Sequence, residues 1–165
     1  MGYHPQPKAL NQLLRSRKAT LNDLPEIIAL LNDDVLGQTR EQSGTAFEPR
    51  YIEAFHRIEK DENAYLMVIL LGEEIIGTCH LNLLPSLTFL GSTRLQIEAV
   101  RVATSYQRKG IGEWMIKQAI AYGNTHGASV FQLTTNKQRV EAKQFYERLG
   151  FEATHEGMKL YTQTT

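Results

Sequence analysis

A chain of 165 residues, 42% of them hydrophobic, can bury a substantial core, and one domain spanning 1–165 is the expected organisation. Eighteen Lys plus Arg balance eighteen Asp plus Glu, so the net charge is zero; this argues against a broad electrostatic footprint for nucleic acid or anionic membrane and leaves only a local basic patch. The single cysteine, Cys79, excludes an intrachain disulfide framework, and its neighbours Ile75, Ile76 and Leu81 read as a buried strand thiol rather than a nucleophile.

Residues 1–12 are polar, carry Pro5 and Pro7, and read as a flexible arm without a signal core. Leu13 to Lys18 is a first strand. Thr20 or Asn22 then caps a helix in which Leu24, Ile27, Ile28 and Leu31 form one apolar stripe. Gly37 to Pro49 reads as a mobile loop, and Pro49 to Glu59 as a second helix. Ala64 to Leu71 is apolar on both faces, as a central strand is, and far shorter than the ~20 residues of a membrane span. Gly72-Glu73 turns it into a second strand, Glu74 to Leu84, so the two form a hairpin.

Pro85 to Ser92 interrupts the pattern before the strand Leu95 to Val102. There, simple alternation puts Gln96, Glu98, Val100 and Val102 on one face and Leu95, Ile97, Ala99 and Arg101 on the other. The loop Gln107-Arg108-Lys109-Gly110-Ile111-Gly112 follows. Its glycines allow close backbone approach, and the helix opening there offers free N–H groups to a phosphate-bearing ligand. In that helix Ile111, Trp114, Met115, Ala119 and Tyr122 recur at helical spacing and read as core. Ser129 to Thr134 is a strand, Val140 to Leu149 a helix stopped by Gly150, and Phe151 to Tyr161 a last strand or strand pair. The order β-α-α-β-β-β-α-β-α-β predicts a mixed α/β (α+β) sheet with helices on its faces. The five histidines show no ligand spacing, so no metal is expected.

Four segments together resemble the GNAT N-acetyltransferase superfamily: Glu98-Ala-Val-Arg-Val102, Gln107-Arg-Lys-Gly-Ile-Gly112, Asn136, and Ala142-Lys-Gln-Phe145-Tyr146-Glu-Arg-Leu-Gly150-Phe151. The region from Gly77 to Phe151 also looks like small-amine acetyltransferases such as the aminoalkylphosphonate enzymes. The resemblance implies a central sheet of six or seven strands flanked by four helices. It implies acetyl-CoA as acyl donor and a primary amine of a small molecule or peptide as acceptor, in a cytoplasmic enzyme for which a homodimer is one assembly open to it. Backbone groups of Val100, Arg101 and Val102 would pair with the pantetheine arm. Gln107 would brace the pyrophosphate loop, N–H groups from Arg108, Lys109, Gly110, Ile111 and Gly112 would hold the phosphates, and Asn136 would meet the distal part of the cofactor. Glu98, the only carboxylate on its strand, would be the general base, directly or through a water, and Tyr146 the general acid.

Each assignment has a plainer counterpart. Glu98 could pair with Arg94 or Arg101, Tyr146 could pack beside Phe145, and the glycines could be ordinary turn residues. If the strands around the 85–92 break pair antiparallel, His80 lies opposite Glu98, where it either tunes Glu98 or is a satisfied strand histidine. Arg40, Glu41, Glu48, Arg50 and Tyr51 are polar candidates for contacting the acceptor. The alternative function is a non-catalytic acyl-CoA-binding regulatory module of the same fold. A nucleotidase phosphate loop does not fit, because Glu113 rather than Lys follows Gly112.

Overall fold

The computed structural model describes residues 10–33 and 48–162. Most of the arm and nearly all of the loop expected at Gly37–Pro49, with Arg40 and Glu41, lie outside the described residues. Leu10, expected in the arm, is buried against the core. Strands β1 (Leu14–Lys18), β2 (Ala64–Leu71), β3 (Glu74–Pro85), β4 (Thr93–Val102) and β5 (Ala128–Leu133) form one sheet in that spatial order. The first four are mutually antiparallel, and β5 joins β4 in parallel.

Helices α1 (Leu24–Asn32), α2 (Pro49–Lys60), α3 (Ile111–Thr125) and α4 (Val140–Arg148) cover the sheet. Alternation along β2 decides which face each helix takes. Leu66, Val68 and Leu70 meet Leu24, Ile27 and Ile28 of α1 and Phe55 of α2. Met67 and Ile69 face the other way, toward Ile111, Met115, Ile116 and Ala119 of α3. Both faces of β2 are therefore covered, as its apolar run predicts. Trp114 and Tyr122 pack against the α3-side core. Near the end of α3 the helix lies close to the sheet: a Cβ on Gly123 would stand 3.1 Å from Leu95 Cδ2, so only glycine fits without repacking.

Among the described residues the sheet has five strands, not six or seven. Phe151–Tyr161 forms no strand ladder, and Met158, Leu160 and Tyr161 are exposed. The stretch Glu152-Ala-Thr-His-Glu-Gly157 has no alternating apolar face to hold it on a sheet. No helix among the described residues is long and apolar enough to cross a membrane.

An ion pair between an exposed arginine and a buried aspartate fastens the start of α1 to the sheet. Arg17 on β1 donates to both oxygens of Asp23, at 2.6 and 2.9 Å, and the Thr20 N–H adds a third bond at 2.7 Å. These donors, the guanidinium foremost, hold the Asp23 carboxyl at about 2, below its ordinary 3.8. A depressed folded-state pKa stabilises above the unfolded value and is lost as pH falls through the folded one. Asp23→Asn should therefore lower the unfolding free energy by about 2 kcal/mol at pH 7 and by far less near pH 2. Urea denaturation at the two pH values checks this, and equal losses at both would refute it.

Candidate active site

The sheet opens between its last two strands. β4 and β5 pair from Thr93–Ala128 to Ile97–Leu133; β5 then ends while β4 continues to Val102. The β5 side of Glu98–Val102 consequently has no strand ladder, leaving a cleft beside extended backbone, the kind of edge to which an extended ligand adds as a strand does. A bulge bends β4 at this point. Thr78 pairs with Arg101 and His80 with Glu98, so Ala99 and Val100 together oppose Cys79 alone. Ala99 takes a left-handed backbone, φ 51°, uncommon for a residue with a Cβ.

The bulge also corrects the alternation expected along this strand. Leu95 and Ile97 are buried on the α3 side, and after the bulge Val100 and Val102 pack against that same core. Glu98 does not share their face. Its ladder partner is His80, whose other partner is Leu66, in the core beneath α1 and α2. Glu98 is thus exposed on the α1/α2 side of the opening. The extra residue shifts the phase of everything beyond it by one.

After β4 the chain makes a short 3-10 turn, Thr104–Tyr106, and enters the glycine loop. Three ties hold this segment. Thr104 donates through its N–H and its hydroxyl to Asp33 Oδ2, at 3.1 and 2.7 Å. The Tyr106 hydroxyl donates to Glu74 at 2.6 Å, and Gln107 Nε2 donates to the Val102 carbonyl at 3.1 Å. Arg108 and Gly110 are left-handed, φ 60° and 82°, and α3 begins at Ile111. The first intrahelical bond of this turn is Trp114 N–H to the Gly110 carbonyl, so the N–H groups of Ile111, Gly112 and Glu113 precede the helical ladder. Successive free N–H groups at a helix start, with the positive end of its dipole, suit a phosphate. Positive charge is local: Lys109 Nζ sits 5.2 Å from the Tyr106 ring centre, and Arg108 reaches Glu141 of α4 at 3.6 Å, both side chains exposed. Gly112 lets α4 close on α3, since a Cβ there would stand 3.3 Å from Phe145 Cζ.

Tyr146 of α4 packs against the core on the α3 side, edge-on to Phe145 and Phe151. Burial raises its hydroxyl above the usual phenol range, with the Cys79 thiol acting in the same sense and Arg101 and Arg139 opposing. It therefore stays protonated at neutral pH. Burial pushes the Cys79 thiol up to about 12, which leaves it without thiolate to act as a nucleophile.

The Acetyltransferase (GNAT) family model matches residues 26–151, which take in the opened strand pair, the glycine loop and α4. The chain belongs to the GNAT acetyltransferase family. A solved structure of a transcriptional regulator from Bacillus halodurans C-125 is 42% identical, with a TM-score of 0.87 over 90% of this chain and 99% of that one. Glucosamine-6-phosphate N-acetyltransferase from Arabidopsis thaliana, 19% identical, superposes with a TM-score of 0.74 over 91% of this chain and 99% of that one. An aminoglycoside acetyltransferase from an uncultured soil metagenomic sample, solved with trehalose, does so at 21% identity and 0.74, over 94% and 99%. These last two share the fold alone. No curated protein matches the chain.

Within this GNAT chain the residues singled out from the sequence do not all meet at one point. Glu98 lies on the α1/α2 side of the sheet, and Tyr146 packs against the core on the α3 side. Val100, Arg101 and Val102 form its β4 edge, where the Val100 carbonyl accepts a 2.9 Å bond from the Arg101 guanidinium. Asn136 is exposed and folds back on its own turn, its Oδ1 accepting from the Gln138 N–H at 2.9 Å ahead of α4. Glu48 and Arg50 pair with each other at 3.1 Å.

Two features escaped sequence reasoning. Asp33 and Thr104 stand 71 residues apart, and nothing local announces their bond. Gln132 donates to Gln96 at 2.6 Å and, with Asn82 on the other side of Gln96, extends a polar row next to Glu98. Its signal was the lone amide inside the apolar strand Ser-Val-Phe-Gln-Leu.

Proposed function

We propose that this GNAT chain transfers an acetyl group from acetyl-CoA to a primary amine of a small molecule or peptide, by direct attack without a covalent enzyme intermediate. The observation that supports this reading is the β4 edge that continues past the end of β5 and leads directly into the glycine loop at the start of α3. Acetyl-CoA supplies the thioester. The backbone of Val100, Arg101 and Val102 would receive the pantetheine arm. N–H groups from Arg108, Lys109, Gly110, Ile111 and Gly112 would hold the pyrophosphate, with Gln107 bracing the loop and Asn136 at the distal end.

The residues fit such a ligand because the helix-start N–H groups, the left-handed Gly110 and the strand edge follow one another along 98–112. An attacking amine must be uncharged, and an exposed carboxylate on the α1/α2 side is placed to take its proton. An N–H near Val100 would polarise the carbonyl under attack, and a protonated tyrosine on the α3/α4 side would meet the departing thiolate. The whole chain is read as one catalytic domain working in the cytoplasm, alone or as a homodimer, with no metal.

One comparison favours a second reading, a non-catalytic acyl-CoA-binding regulatory module: the relative at 42% identity is named a transcriptional regulator. Calorimetry with acetyl-CoA, followed by coenzyme A release across polyamines, amino sugars, aminophosphonates, aminoglycosides and peptides, separates the two. Binding with turnover is the expected result. Binding without turnover on any amine selects the regulatory module, and absence of binding sinks both.

A further inference from the structure

His80 is half-buried, between Leu66 of β2 on one side and Glu98 of β4 on the other, on the face that also carries Thr78, Asn82 and Gln96. Yet its Nε2 is fully shielded from water and has no hydrogen-bond partner. A buried polar nitrogen left unpaired is costly, and native interiors rarely keep one without a reason. Nothing in the packing of the sheet supplies that reason.

The charged groups facing the imidazole are few. From β4 comes Glu98, its direct cross-strand partner; from the end of α2 comes Asp61. Asp61 is already committed, its Oδ1 accepting the Asn63 N–H at 2.9 Å. Glu98, in contrast, is exposed, and its carboxylate forms no hydrogen bond or ion pair among the described residues. Directly opposed side chains stand close enough for a turn of the longer one to join them. One strand position therefore holds a buried nitrogen lacking a partner, and the position across from it holds a carboxylate with no other engagement.

We infer that His80 is a positioning residue for Glu98: its neutral imidazole donates the buried Nε2–H to the Glu98 carboxylate and so sets the direction from which Glu98 takes the acceptor's proton. The inference rests on reading Glu98 as the general base. Neutrality matters to the scheme. Burial pulls the imidazole below its ordinary value, more than the carboxylates of Glu98 and Asp61 raise it. A neutral donor fixes the direction of the carboxylate without cancelling its charge.

The test uses the full chain and two readouts. Imidazole nitrogen-15 NMR, with His80 assigned through His80→Gln, needs no acceptor. The expected result is an Nε2-protonated neutral ring at pH 7, whose titration midpoint falls further in Glu98→Gln because a stabilising negative charge is gone. An Nδ1-protonated ring, or a midpoint indifferent to Glu98→Gln, overturns the inference. Kinetics with the amine turned over fastest in the panel supply the second readout. His80→Leu should lower kcat about ten- to a hundredfold, the range of a hydrogen bond to a charged group, and leave the KM for acetyl-CoA in place. His80→Gln, which keeps an N–H donor, should recover most of kcat.

An unchanged kcat in a folded His80→Leu, or a His80→Gln that recovers none of the loss, overturns the inference. If His80→Leu does not fold, the NMR comparison decides alone. Failure here is separable from failure of the function: full activity in Glu98→Gln removes the base itself, whereas an inactive Glu98→Gln beside an unchanged His80→Leu removes only His80.

Discussion

Glu98→Gln should lower kcat by about two to four orders of magnitude, the usual contribution of a positioned general base. Affinity for acetyl-CoA should hardly change, because Glu98 lies on the α1/α2 side and the proposed cofactor edge and loop lie elsewhere on 100–112. The substitution preserves shape and removes only the capacity to take a proton. Glu98 is exposed and beside the bulge, so folding should be unaffected. Steady-state kinetics with a thiol reagent, paired with calorimetry on the same preparation, checks both halves. A variant with native kcat would show that the acceptor loses its proton to another group or to solvent.

Tyr146→Phe should lower kcat by about two orders of magnitude, the low end of the range for a positioned proton donor. The ring is kept, so its edge-on contacts with Phe145 and Phe151 persist and stability should follow the wild type closely. Affinity for acetyl-CoA should again stay near the wild-type value. The pH dependence is a second check. Burial raises the phenol above its ordinary value of 10, so the acidic form is fully present throughout neutral pH and is lost only above that value. A basic limb that begins above pH 10 in the wild type and is absent in Tyr146→Phe fits this role. Equal kcat in the two proteins would remove Tyr146 from the reaction and leave it as packing.

In the proposed reaction the two substitutions test opposite sides of the sheet, Glu98 the amine side and Tyr146 the thiol side. The bulge at Ala99 turns Val100 and Val102 to the α3 side, away from the face of Glu98.

Much of this arrangement was readable before any coordinates. The hairpin at Gly72-Glu73, the doubly buried strand at Ala64–Leu71 and the stripe of Ile111, Met115 and Ala119 follow from alternation and helical spacing, because side-chain direction repeats with period two or near four. The cross-strand meeting of His80 and Glu98 was legible for the same reason, once the strands around 85–92 were taken as antiparallel. The glycine loop was legible because glycine is the residue that a left-handed position such as Gly110 favours.

What lay beyond reach has a common cause. Alternation assumes that every residue advances the strand by the same step. Ala99 breaks that step with φ 51°, and alanine carries no local mark of a left-handed backbone. The assignment of Glu98 and Val100 to one face failed there. Phe151–Tyr161 was read as strand from its place at the end of the order, yet 152–157 has no apolar face to pair with. The turn in which the Asn136 amide oxygen accepts the Gln138 N–H is likewise not announced by its place in the motif.

By itself, then, the order of amino acids determined the elements, their apolar faces and the glycine loop that opens α3, while the candidate acid and base came from the resemblance to the GNAT family. The elements, faces and loop are local properties, set by side-chain size, charge and backbone freedom within a few residues. The tertiary structure alone decided that β5 stops pairing at Leu133 while β4 continues, that Glu98 lies on the face opposite Val100 and Val102, and that Asp33 ties α1 to the loop through Thr104. Each of these depends on how distant segments meet, and such meetings are settled by packing across the whole sheet.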